Sequence, residues 1–135
     1  MIREFREHYQ FLSNFHRSWI LIPTLEHHYQ MAKADFWKEE IRKAEKPGDA
    51  KRLGWEFPTA KWNWVRLQVM KDLVRKKFKD PVLRNALIYT GDRELIEGNH
   101  WHDNFWGDCD CPPCQKIPGQ NHLGKILMSI RKELR

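Results

Sequence analysis

The sequence predicts a mainly α (α+β) protein, a single compact multihelical domain over residues 1–135 with a few short strands. Three observations carry this. Apolar residues recur at alternating spacings of three and four along several stretches, the signature of helices with one buried face. Those stretches are bounded by capping residues, prolines and glycines where helices begin and stop. The runs suited to strands, by contrast, are only a few residues long. At 135 residues the chain can bury a core without disulfide or metal staples.

Residues 2–22 read as short extended segments around a turn. Trp19-Ile20-Leu21-Ile22 is an apolar run closed by Pro23, the pattern of a buried strand. Phe11-Leu12-Ser13-Asn14-Phe15 sets two small polar residues between aromatics, and reads either as a Ser or Asx turn or as a loop touching ribose or phosphate. Thr24 predicts an N-cap for a helix reaching Glu40, with Leu25, Tyr29, Ala32 and Phe36 as its apolar stripe. Glu26, Gln30, Lys33 and Trp37 repeat the spacing one residue on, placing Glu26 and Lys33 about 10 Å apart along the axis. That polar stripe is either a solvated face or the border of a site; the bulky aromatics beside it favour the border.

Pro47-Gly48 predicts a turn, Asp49 an N-cap and Gly54 the end of one short helix. Pro58-Thr59 leads into the longest helix, Ala60 to Lys79, with Leu67, Met70, Val74 and Phe78 inward and Trp62 and Trp64 crowding its first turns. Arg66 and Lys77 beside that face read as solvated. Asp80-Pro81 is an N-cap with proline at the first helical position, opening a helix through Val82, Leu83, Ala86 and Leu87 that Gly91 stops. Glu94-Leu95-Ile96-Glu97 is too short for a helix and reads as an extended segment delivering Glu97 and Asn99 towards Asp103-Asn104-Phe105-Trp106-Gly107. Asn121 is a candidate cap for the last helix, whose inner face is Leu123, Leu127, Ile130 and Leu134.

The stretch from Asp103 to Gly107, followed by Gly119-Gln120-Asn121-His122-Leu123-Gly124-Lys125, has the composition of a site. A carboxylate supplies charge and protons, an indole offers a flat surface, and glycines allow close backbone approach. Gly119-x4-Gly124-Lys125 resembles a phosphate-binding P-loop, but Ile126 stands where Ser or Thr must hold magnesium, and no strand precedes it. A nucleotide triphosphatase is therefore excluded, while glycines at a helix start still suggest backbone N–H groups open to phosphate.

The formal charge of +6 favours an anionic partner such as a nucleotide or nucleic acid, or is simply a basic soluble surface. Seven Trp and seven Phe are more than a core of this size needs. No apolar run is long enough for a membrane span, and Met1–Phe5 lacks the form of a signal peptide, so a soluble, cytoplasmic setting is expected. Cys109, Cys111 and Cys114 are an odd, closely spaced set, which argues against a disulfide framework. They suit a structural zinc with His100, His102 or His122 as fourth ligand; the alternative is a free-thiol surface loop.

Taken in order, these segments resemble the NADAR family, also described as YbiA-like. The resemblance rests on Phe11–Phe15, on Thr24-x-Glu26-His27-x-Tyr29-Gln30-x-x-Lys33-Ala34, on Ala50–Gly54 and on Trp64 with Met70, Lys77 and Phe78. It continues through Thr90-Gly91-x-x-x-Leu95-Ile96-Glu97, Asp103-x-x-Trp106-Gly107 and Gly119-x-Asn121-x-Leu123-Gly124-Lys125 to Arg131, and departs at the cysteine-rich insert after Asp108. The resemblance implies a YbiA-like helical domain that hydrolyses N-glycosidic bonds of ribosyl compounds, either ADP-ribose on guanine in nucleic acid or a phosphoribosylamino-pyrimidine of the riboflavin pathway. Carried onto this chain it implies Glu26, Lys33 and Asp103 as catalytic, Trp106 and Asn121 as substrate contacts, and Asn14, Phe15 and Arg52 lining the cleft. Gln30, Gly107, Gly119 and Gly124 complete the candidate binding set. Glu26 and Asp103 are expected to share charge stabilisation and proton donation, with Lys33 a proton donor, an ion-pair partner or an amine nucleophile. Such chemistry requires no cofactor. A non-catalytic ADP-ribose or nucleic-acid binding module is the remaining reading, disfavoured because an anion binder gains nothing from buried negative charge.

Overall fold

The computed structural model describes residues 1–48 and 59–135. In chain order the elements are β1 (Ile2–Arg3), a 3₁₀ helix (Glu7–Leu12), α1 (Leu25–Arg42), α2 (Thr59–Lys77), α3 (Pro81–Tyr89), β2 (Leu95–Ile96), β3 (Gly98–Asn99), β4 (Asp108–Cys109) and α4 (His122–Leu134). The mainly helical fold with a few short strands follows the periodicity of the sequence. β1 runs parallel to β2, with Ile2 opposite Leu95, and β3 runs parallel to β4, with Gly98 opposite Asp108.

Helix α2 packs against both α1 and α4, while α4 also covers β2 and α3. The core gathers Leu25 and Tyr29 from α1, Trp62, Met70 and Val74 from α2, and Leu87 from α3. Leu95 of β2 joins Leu123, Leu127 and Ile130 of α4 to complete it. Local chemistry sets the ends of the elements. Thr24 Oγ1 accepts from the N–H of His27 at 3.3 Å, and Asp80 Oδ1 accepts from Val82 and Leu83 at 2.9 and 3.5 Å. Gly91 ends α3 in the left-handed conformation, at φ 66°, that a residue without Cβ adopts freely.

Several expectations need correction. Trp19-Ile20-Leu21-Ile22 is not a buried strand: Trp19 and Ile22 are 74% and 64% exposed, and only Leu21 is buried. Ser18 Oγ accepts from the N–H groups of Ile20 and Leu21, which curls the run into a turn before it can extend. Of the two indoles at the start of α2 only Trp62 is buried while Trp64 is exposed, and the helix ends at Lys77 rather than Lys79, with Phe78 buried as expected just beyond it. Lys77 is not solvated but 1% exposed, its Nζ donating to the carbonyl of Ser13 at 2.8 Å. Burial pushes that amine down to about 7. Pro47 and Gly48 are helical, not a turn; the rest of that expected short helix, and Arg52, lie outside the described residues. No helix among the described residues is long and apolar enough to cross a membrane.

Candidate active site

Three carboxyl groups come from three separate parts of the chain, and Glu97 lies close enough to Glu26 and Asp103 to feel the charge of both. Glu26 stands in the first turn of α1, where its N–H donates to the carbonyl of Asn14 at 3.0 Å. Gln30, exposed one turn further on, donates Nε2 to Glu26 Oε1 at 2.9 Å and so orients the carboxylate. The Ser13–Phe15 stretch is the expected turn, closed by the Phe15 N–H on Ser13 Oγ at 3.1 Å. It buries Asn14, which donates to the sulfur of Met70, and leaves Phe15 68% exposed.

Glu97 follows β2 directly. Asn121 holds that strand end, donating Nδ2 to the carbonyl of Leu95 at 2.9 Å and accepting at Oδ1 from the Glu97 N–H at 3.0 Å. Burial first, then the negative charges of Asp103 and Glu26, push the Glu97 carboxyl up to about 8. Glu97 lines a cleft with Phe5, Phe15 and Trp101. Glu26 and Gln30 line a neighbouring depression, and Phe15 belongs to both.

Asp103 sits on a tight loop. Its Oδ1 accepts from the N–H groups of Phe105 and Trp106 at 3.1 and 2.8 Å, while its own backbone is held by the side chain of Asn99. The carboxylate therefore fixes the turn that presents Trp106. The indole is perpendicular to the rings of Tyr29, centroids 5.7 Å apart, and Phe105, at 4.8 Å, so two neighbouring rings fix its orientation. Arg66, from α2, lays its guanidinium over Phe105 at 3.2 Å from the ring centroid. Burial lowers its pKa, against the favourable influence of Tyr29 and Asp103. Burial is likewise the main reason the Tyr29 hydroxyl titrates above its ordinary value.

Among the described residues, Asn14 Oδ1, Arg66 Nε and Glu97 Oε2 are buried and lack a hydrogen-bond partner. All three belong to this neighbourhood, where unpaired polar atoms call for a ligand or water to complete them.

The start of α4 behaves differently from the sequence expectation. Asn121 does not cap the helix with its side chain; it sits in the left-handed region at φ 51° and spends its amide on β2. Nor are the N–H groups there open to phosphate. Those of Gln120, Asn121, His122 and Leu123 donate to the carbonyls of Asn104, Gly107, Phe105 and Trp106. The helix terminus braces the Trp106 loop. Gly107, Gly119 and Gly124 serve the same packing: a Cβ on Gly107 would overlap the carbonyl of Glu97, one on Gly119 that of Gly107, and one on Gly124 that of Leu95. Lys33 is half-buried two turns along α1 from Glu26 and is engaged with neighbouring residues.

The three cysteines carry no disulfide, and their sulfurs gather around His102, forming a Cys3His group able to hold a metal ion.

Sequence reasoning underrated Glu97, Arg66 and Lys77. For the two bases a signal was present: Trp62, Arg66, Met70, Val74 and Lys77 follow one another at spacings of four, four, four and three, so both lie on the inward stripe of α2, Arg66 half-buried and Lys77 fully buried. For Glu97 the signal was weaker, an acid placed directly after a buried strand residue pair.

A family model described as the NADAR domain matches residues 2–135. A riboflavin biosynthesis protein of Vibrio vulnificus is 37% identical over 139 residues; the match covers 95% of this chain, which spans only 36% of that protein's length. An N-glycosidase of Nostoc punctiforme is 38% identical, over 83% of this chain and 74% of its own. The N-glycosidase YbiA of Escherichia coli is 36% identical, over 83% and 70% respectively. The solution structure of Escherichia coli YbiA aligns with a TM-score of 0.68 at 31% identity, covering 98% of this chain and 83% of that one.

Proposed function

The chain belongs to the NADAR family, and from that membership we propose that it is a hydrolase cleaving the bond between a ribose C1 and a base nitrogen. The observation that carries the reading is Glu97, a carboxyl pushed up to about 8 by burial and by the charges of Asp103 and Glu26. Breaking a ribosyl C–N bond builds positive charge on the sugar and negative charge on the departing base. At neutral pH Glu97 holds its proton and serves as the acid that relieves the base. The charges of Glu26 and Asp103 serve the sugar, Gln30 keeps Glu26 in place, and the Arg66 guanidinium offsets negative charge from the side of Asp103. Two carboxyl roles set apart by environment are the usual means of running acid chemistry at neutral pH.

For the substrate we favour ADP-ribose attached to guanine in nucleic acid, because the net charge of +6 and the exposed rings of Phe15 and Trp101 at the Glu97 cleft suit a polyanion with stacking bases. A second reading, a phosphoribosylamino-pyrimidine, is favoured by the Vibrio relative and by a 32% identical maize relative, both named riboflavin biosynthesis proteins. Assaying the protein on an ADP-ribosylated guanine oligonucleotide and on a ribosylaminouracil phosphate separates the two. On the cleaved substrate, Glu97→Gln, Glu26→Gln and Asp103→Asn each lower turnover about 100-fold or more, while thermal melts stay within a few degrees of wild type. Full turnover in Glu97→Gln overturns its role as the acid, and cleavage of neither compound by the wild type overturns the substrate assignment.

A further inference from the structure

The loop that carries Asp103 and Trp106 is flanked by a group of side chains that the hydrolysis does not use. Ligand atoms of His102, Cys109, Cys111 and Cys114 all lie within 4.8 Å of one another. His102 Nδ1 is 3.0 Å from Cys111 Sγ and 3.5 Å from Cys114 Sγ. A tetrahedral zinc with bonds of about 2.3 Å to sulfur and 2.0 Å to nitrogen spaces its ligands roughly 3.5–3.8 Å apart, so shifts of about 1 Å or less bring the four atoms to that spacing. We propose that these four side chains form a structural Zn²⁺ site clamping the segment that carries Asp103 and Trp106.

The backbone is arranged for this. The N–H groups of His102 and Cys111 both point at Cys109 Sγ, at 3.2 and 3.5 Å, as the outer shell of a metal thiolate does. A turn in which the Cys114 N–H donates to the carbonyl of Cys111 at 2.9 Å brings the third sulfur round. The other two histidines that the sequence offered are committed elsewhere. His100 Nδ1 lies 2.6 Å from Asp110 Oδ1, with Arg6 on its other nitrogen, and His122 packs on Phe105 and contacts Gln120. A disulfide between two of the cysteines would strand the third, whereas zinc engages all of them. Binding the ion releases the thiol protons to solvent, and four protein ligands leave no open position, which makes the site structural rather than catalytic. Its mechanical consequence follows from the sequence: residue 102 is tied to residues 109, 111 and 114, so both ends of the Asp103–Asp108 segment are fixed. The proposal stands independently of the glycosidic reading.

Protein purified without chelator is expected to contain about one zinc per chain, with X-ray absorption reporting three sulfur and one nitrogen ligands. Reduced apo-protein titrated with Co²⁺ should develop a thiolate-to-cobalt charge-transfer band. Cys111→Ser and His102→Ala should lower zinc content about tenfold while His100→Ala retains it, and zinc removal should lower the thermal midpoint by about 5 °C or more. A wild-type protein with neither zinc nor the cobalt band overturns the proposal, as does a nitrogen ligand that is lost in His100→Ala. Should His102→Ala fail to fold, the ligand count on wild type decides.

Discussion

At the scale of single residues, the chemistry depends on where protons sit. Glu97 is raised from 4.5 to about 8. Between those values the folded protein keeps a proton that the unfolded chain has lost. Its contribution to stability is therefore fully present below about 4.5 and disappears as pH rises through about 8. Lys77 is lowered from 10.5 to about 7, so its contribution has the opposite slope, with stability rising across that interval. Comparing wild type with Glu97→Gln cancels the lysine. Urea midpoints of wild type should carry a decline between pH 5 and 8 that the variant lacks, and kcat/KM of the wild type should fall on the alkaline side near 8. A wild-type profile flat to pH 9.5 or so would place the acid on another group.

At the scale of elements, the site is assembled where α4, β2 and the Trp106 loop touch backbone to backbone. Gly124 lets the carbonyl of Leu95 lie against the helix, and Asn121 stitches that carbonyl and the Glu97 N–H to the helix start. A methyl at position 124 meets a strand carbonyl and the Asn121 amide, neither of which can yield without breaking those bonds. Gly124→Ala should therefore cost about 2–3 kcal/mol in urea unfolding, against a helix-propensity gain below about 1 kcal/mol. Because the same contacts position Glu97, turnover should fall in parallel. Unchanged stability would mean that α4 can slide off β2 at no cost.

At the scale of the whole molecule, charge and exposed aromatics bear on the size of the substrate. A net +6 acts over distance, but only where the partner is itself a polyanion does salt dependence become steep. Phe15 and Trp101 are exposed beside Glu97, whereas Trp19 and Trp64 are exposed without lining that cleft. If the substrate is carried on nucleic acid, kcat/KM on the oligonucleotide should drop about tenfold or more between roughly 50 and 200 mM salt, with a much smaller change on a modified mononucleotide. Equal salt dependence for both would favour the small metabolite.

The sequence by itself determined the four long helices, the caps Thr24 and Asp80, and the family. Periodicity and the residues Thr24, Asp80, Pro81 and Gly91 act through neighbours three or four positions away, and such local chemistry is written in order along the chain. It also placed Glu26 and Asp103 as candidates through the family resemblance, and the cysteines by residue type and spacing. Only the tertiary structure decided that Glu97 comes within reach of the charges of the two acids, that the Lys77 amine ends on the carbonyl of Ser13, that His102 is the histidine beside the sulfurs, and that the glycines pack backbone on backbone rather than cradle a phosphate. Each of these depends on groups far apart in sequence meeting in a place shielded from water. Shielding and long-range charge, which set the proton on Glu97, exist only once the chain has closed around them.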